Sequence, residues 1–108
     1  MKPLLALVAL AAVVAAPPQK QTFTGVITDS MCADGDHSAM RMGPTDAECV
    51  RACIVAHGAT YVLYDGKHTY NLSDQDTPDK FAAQKVKVVG TLDAKNKTIS
   101  VESITAAK

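Results

Sequence analysis

Runs of β-branched and apolar residues separated by polar turns predict five short strands and two helices. Thr22 to Thr28 (T-F-T-G-V-I-T) forms strand one, with Gly25 marking a bulge or bend. Asp29 to Pro44 is a polar, glycine-containing loop. Thr45-Asp-Ala-Glu48 has the form of a capping box, which predicts a helix running to about His57, with Gly58 as its stop. Ala59 to Tyr64 and Lys67 to Leu72 flank Asp65-Gly66, a pair favoured in two-residue hairpin turns. Thr77-Pro78 predicts a short helix, capped by Thr77 and anchored by Phe81. Lys85 to Asp93 carries Val86, Val88 and a bend at Gly90, and Thr98 to Ile104 closes a second hairpin across Ala94 to Lys97.

This order predicts a mainly β fold, a small five-stranded OB-like barrel spanning 22–108. One helix is inserted between strands 1 and 2, and a short helix lies between strands 3 and 4. The segment after strand one is then an enlarged loop at a place where such barrels commonly form a binding edge, an analogy of fold that does not assign a function. Tyr61 and Tyr70 are expected to pack across the hairpin, and Met31 to join the core.

The N-terminus changes the picture of the compartment. Lys2, the apolar run Leu4 to Ala16 and its small-residue end have the outline of a secretory signal peptide at 1–16, with 17–21 as a flexible leader. The run is shorter than the ~20 apolar residues of a membrane span, so none is expected after cleavage. About 92 residues remain, enough for one small domain, read as a monomer. The full chain has 11 basic and 11 acidic side chains, and losing Lys2 leaves a charge of −1. That balance gives no footing for nucleic acid or an anionic membrane as partner. The expected location is exported, periplasmic or extracellular, where paired cysteines usually become disulfides.

All three cysteines lie between residues 32 and 53, together with His37, Met40 and Met42. Cys49 and Cys53 are four apart on one helix face, a spacing that suits two thiolates on one ion and is awkward for a disulfide between them. Cys49 also falls in the first helical turn, where the dipole favours negative charge. Cys32 and His37 can supply further ligands from the loop, since three cysteines and a histidine form a closed tetrahedral zinc set. Met40 and Met42 are soft thioethers that favour Cu(I), although two residues apart they do not both face one site. The candidate metal ligands are Cys32, His37, Met40, Cys49 and Cys53, and the cofactor is a copper or zinc ion.

Other motifs fit less well. Cys49-x3-Cys53-x3-His57 echoes a binuclear copper loop, but Thr60 replaces its methionine, and a helix carries His57 about 12 Å along the axis from Cys49. Residue 54 is Ile where haem attachment needs His, and no C-x-x-C is present. Asp34 and Asp36 lack the later glutamate of a calcium loop and read as loop formers. His57 complements the helix dipole, and His68 faces solvent. Nucleophilic catalysis requires a base and an orienting group that only His37, His57 and His68 offer, by residue type alone, so the reading favours a binding protein over an enzyme. Two alternatives stay open. In one, Cys32 pairs with Cys49 or Cys53 as a disulfide staple worth ~3 kcal/mol, in a module that binds an envelope protein. In the other, a thiol-redox protein uses Cys49 as its thiolate.

The segments G-V-I-T-D-S-M-C (Gly25 to Cys32), His37-x2-Met40, Cys49-x3-Cys53, G-A-T-Y-V-L-Y-D-G (Gly58 to Gly66) and V-V-G-T-L (Val88 to Leu92) together resemble a family of small exported bacterial OB-like proteins of uncharacterised function. The resemblance covers nearly all of the chain after residue 16. It implies the fold and the exported location, and it marks Cys32, His37, Met40, Cys49 and Cys53 as positions to be tested together.

Overall fold

β1 (Lys20–Asp29) is the strand around which the others are arranged, because it serves two neighbours in turn. Its first part pairs antiparallel with β4 (Lys85–Asp93), from Lys20 opposite Thr91 to Val26 opposite Lys85. Its last part pairs antiparallel with β2 (Tyr61–Tyr64), from Val26 opposite Tyr64 to Asp29 opposite Tyr61. These relations come from a computed structural model that describes residues 19–39 and 41–107. The expected signal peptide and Met40 lie outside the described residues. β2 continues antiparallel to β3 (Thr69–Leu72), β3 runs parallel to β5 (Thr98–Ala106), and β5 returns antiparallel to β4. The sheet therefore closes on itself in the order β1-β2-β3-β5-β4.

Glycines permit this closure at two crowded points. A Cβ on Gly25 would stand 2.4 Å from the Tyr64 carbonyl oxygen, next to Val26, where β1 serves β4 and β2 together. One on Gly90 would stand 2.3 Å from the Ser100 oxygen, and the β4–β5 register shifts between Val89 and Gly90. The bend expected at Gly90 is thus a bulge, whereas Gly25 is required by backbone approach. The core inside the closed sheet is built from the inward alternation of Val86 and Val88 with Ile27, Leu63, Leu72 and Ile99.

α1 (Asp46–His57) sits between β1 and β2, as the capping pattern predicts. The Thr45 hydroxyl accepts from the Glu48 N–H at 3.2 Å, and Gly58 ends the helix with φ +66°. A single 3-10 turn, Thr77–Phe81, occupies the place of the second helix, with Pro78 buried beneath it. Asp74 prepares this turn, since its carboxylate accepts the N–H groups of Asp76 and Thr77.

Several expectations are corrected. Lys20 and Gln21, assigned to a leader, are paired in β1. The first hairpin has a four-residue loop, because the Asp65 carboxylate accepts the N–H groups of Lys67 and His68 while the Asp65 N–H bonds the His68 carbonyl. Tyr61 and Tyr70 do not meet across it. Tyr70 stands opposite Leu63 and packs against Phe23, ring centroids 5.4 Å apart. Tyr61 lies in the core, and its hydroxyl donates to Asp79 at 2.5 Å. Met31 is 44% exposed instead of buried, for a reason that belongs to the site.

Candidate metal centre

The end of β1 turns sharply because Asp29 bonds its own backbone. Its Oδ1 accepts the N–H groups of Met31 at 2.9 Å and Cys32 at 3.0 Å, and its carbonyl accepts the Cys32 N–H as well. The turn directs Met31 outward and Cys32 inward. Thr28 fixes it from the other side by donating to the Cys32 carbonyl at 2.7 Å. Gly35, at φ +77°, then donates its N–H to the same carbonyl, and the chain doubles back to place His37 in the interior. Asp34 and Asp36 act as loop formers: each accepts a backbone N–H two residues on, from Asp36 and Ser38. The Ser38 hydrogen bonds hold the Asp36 carboxyl below the usual carboxylate range.

The result is a buried group of three donors. Ligand atoms of Asp29, Cys32 and His37 all lie within 4.8 Å of one another. Asp29 is fully buried, and His37 and Cys32 are 4% and 5% exposed. Two atoms here break the usual rule that buried polar groups find partners. Among the described residues, Asp29 Oδ2 and His37 Nδ1 have no hydrogen-bond partner, and they face each other at 3.9 Å, too far for a hydrogen bond. A carboxylate oxygen and an imidazole nitrogen beside a thiol make a chelating set for a borderline cation.

α1 brings the other two cysteines to the same region. Cys49, Val50 and Cys53 form its buried face, so sulfur occupies two positions where a docked helix ordinarily presents larger alkyl groups. The Cys53 thiol shares a hydrogen bond with Cys49, whose Sγ also accepts the Met42 N–H at 3.4 Å. Burial, reinforced by the charges of Asp29, Cys49 and Cys32, pushes the Cys53 thiol up to about 11. Burial and then the Asp29 charge raise Cys32 as well. No disulfide joins any of the three, so the staple from Cys32 to Cys49 or Cys53 is not formed.

Of the five expected ligands, Cys32 and His37 join Asp29 in this group, Cys49 and Cys53 are buried on α1 outside it, and Met40 lies outside the described residues. Met42 is partly exposed, and His57 and His68 are on the surface, His68 near the Tyr70 ring. Sequence reasoning missed Asp29, which it took as the first residue of a polar loop. The available signal was the Asp29-x-x-Cys32 spacing at a strand end, which closes a turn and points both side chains one way. A separate open depression of about 540 Å³ is lined by residues including Gly25, Tyr64 and Lys85, and shares no residue with this centre.

No protein-family model, curated protein or solved structure matches the chain. Among the described residues no helix is long and apolar enough to cross a membrane.

Proposed function

We infer that this is an exported OB-type protein that binds a borderline metal ion, zinc or copper, through Asp29, Cys32 and His37. The observation that carries the reading is the facing pair of buried, unpartnered atoms, Asp29 Oδ2 and His37 Nδ1, beside the Cys32 sulfur. Leaving two such atoms unsatisfied costs about 1–3 kcal/mol each, a cost that a cation between them removes. Charge supports a divalent ion. The Asp29 carboxylate, a Cys32 thiolate and neutral His37 sum to −2, so a divalent cation leaves the buried centre neutral. A water molecule completes a tetrahedral shell.

The OB-type reading is supported by the strand order β1-β2-β3-β5-β4, the parallel β3–β5 pairing and a first strand shared between two neighbours. The apolar run Leu4 to Ala16 supports export. A carrier or a structurally metallated binding module fits a site this deeply buried.

The test is metal content and thiol count on one reduced sample of the full domain. One ion per chain, with Cys32 protected from thiol reagents until a chelator is added, is the expected result. Absence of bound metal after zinc or copper loading, with Cys32 equally reactive before and after chelation, overturns the reading.

A further inference from the structure

Away from the centre, β1 is paired on both edges over only part of its length. Ile27 donates its N–H to the Gln84 carbonyl and accepts the Ala83 N–H, so its backbone groups point to the β4 side. The Ala107 N–H bonds the Lys85 carbonyl, which turns Lys85 towards β5 and leaves Val86 facing β1, opposite Gly25. Backbone groups alternate between the two edges of a strand, so Gly25 and Phe23 bond β4 while Val26, Thr24 and Thr22 point the other way. There Val26 meets Tyr64, the last residue of β2. The Asp65 N–H then turns back to the His68 carbonyl, and among the described residues nothing pairs with the outward N–H and C=O groups of Thr22 and Thr24. Unpaired edge groups of this kind are a template for another strand.

The open depression lies where this edge meets the end of β2. Thr24, Gly25, Val26, Tyr64 and Lys85 are among its lining, and its volume of about 540 Å³ has room for a large side chain. The free charge beside it is positive. Lys85, and Lys87 opposite Thr24, are exposed and have no ion pair among the described residues, whereas Lys20 is neutralised by Glu102 at 2.8 Å. Asp65, on the far rim, has its carboxylate turned to the hairpin, where it accepts the N–H groups of Lys67 and His68. We propose that the β1 edge takes up an extended acidic peptide segment of a partner protein, added antiparallel to β1 in the line of β2. The backbone of Thr22 and Thr24 supplies the donors and acceptors that hold the added strand. An apolar side chain of the segment enters the depression against Val26 and Tyr64, and its carboxylates meet Lys85 and Lys87. The surface shares no residue with Asp29, Cys32 and His37, so this binding stands apart from the metal reading.

The experiment uses the reduced, full domain and two short end-capped probe peptides, one alternating valine with glutamate and one valine with lysine, each carrying a single phenylalanine. Fluorescence anisotropy measures affinity, and hydrogen exchange followed by NMR reads the Thr22 and Thr24 amides. The expected result is that the glutamate peptide binds at least about 10-fold more tightly than the lysine peptide and slows exchange at both amides. The double variant Lys85→Glu with Lys87→Glu changes only exposed side chains, and it should reverse that preference. N-methylation of the glutamate peptide leaves the protein untouched. It should abolish binding when the methyl groups fall on the amides that face β1, and spare it when they fall on the alternate ones. Equal affinity for the two peptides overturns the acidic class, and no binding of either at millimolar concentration overturns the proposal. Binding that leaves exchange at Thr22 and Thr24 unchanged overturns strand addition. Protection of the same amides on concentrating the domain alone assigns the edge to a second copy of the chain and overturns the partner segment.

Discussion

Replacing Asp29 by Asn alters a single buried group, and its effect on stability should change sign with metal. The Asn oxygen must stay where Oδ1 is, because it accepts the N–H groups of Met31 and Cys32 that shape the turn. Its amide nitrogen therefore takes the place of Oδ2 and points at His37 Nδ1, 3.9 Å away. A small closure turns that gap into a hydrogen bond, satisfying two positions that have no partner among the described residues of the wild type. Relief of one buried unsatisfied group is worth about 1–3 kcal/mol. In a domain of this size each kcal/mol moves Tm by about 4–8 °C. In chelator the variant should thus melt at least about 4 °C above wild type. Zinc at about 100 times Kd adds ~2.7 kcal/mol to the wild type, raising its Tm by roughly 10–20 °C, and nothing to the variant. Thermal melts in chelator and in zinc, followed by circular dichroism, measure both effects. A variant that melts below wild type in chelator, with a wild type indifferent to zinc, would refute the reasoning, since Asp29 would then be an ordinary structural carboxylate.

Other perturbations test the frame that holds the centre. Gly25→Ala should destabilise by about 1–3 kcal/mol in urea unfolding, because its Cβ meets the Tyr64 carbonyl at 2.4 Å, and an unchanged midpoint would contradict the close approach. Thr45→Ala removes the cap on Glu48 N–H and should cost ~1 kcal/mol, with Thr45→Ser restoring most of it. Tyr61 is raised from 10.0 to about 12 by burial and its bond to Asp79. Its contribution is complete below about pH 10, where the unfolded phenol also keeps its proton, and is lost as pH rises through about 12. The stability difference between wild type and Tyr61→Phe should therefore shrink over that window, and a pH-independent difference would contradict it.

Local chemistry made the helix and strands legible. Thr45, Glu48 and Gly58 predict α1 to its last residue because caps act on adjacent backbone groups. Asp65-Gly66 predicted a hairpin but the wrong loop, since Asp65 spends its carboxylate on the N–H groups of Lys67 and His68 and lengthens the turn. The ring closure through parallel β3–β5 pairing depends on contacts far apart in sequence, which periodicity does not encode. In the centre, Cys32 and His37 stood out by residue type, as did Cys49 and Cys53 on α1. Asp29 did not, because a carboxylate at a strand end looks like a solvated loop residue until the turn it closes is known. Met31 was misplaced for the same reason: the Asp29 bonds rotate it outward.

X-ray absorption at the zinc edge of the loaded, reduced domain tests the centre most directly. The account predicts a mixed first shell, with one sulfur at about 2.3 Å from Cys32 and nitrogen and oxygen at about 2.0–2.2 Å from His37, Asp29 and a further light donor. The sulfur contribution should vanish in Cys32→Ser. A shell of nitrogen and oxygen alone in the wild type, unchanged by Cys32→Ser and Asp29→Asn, would place the ion elsewhere and contradict the assignment.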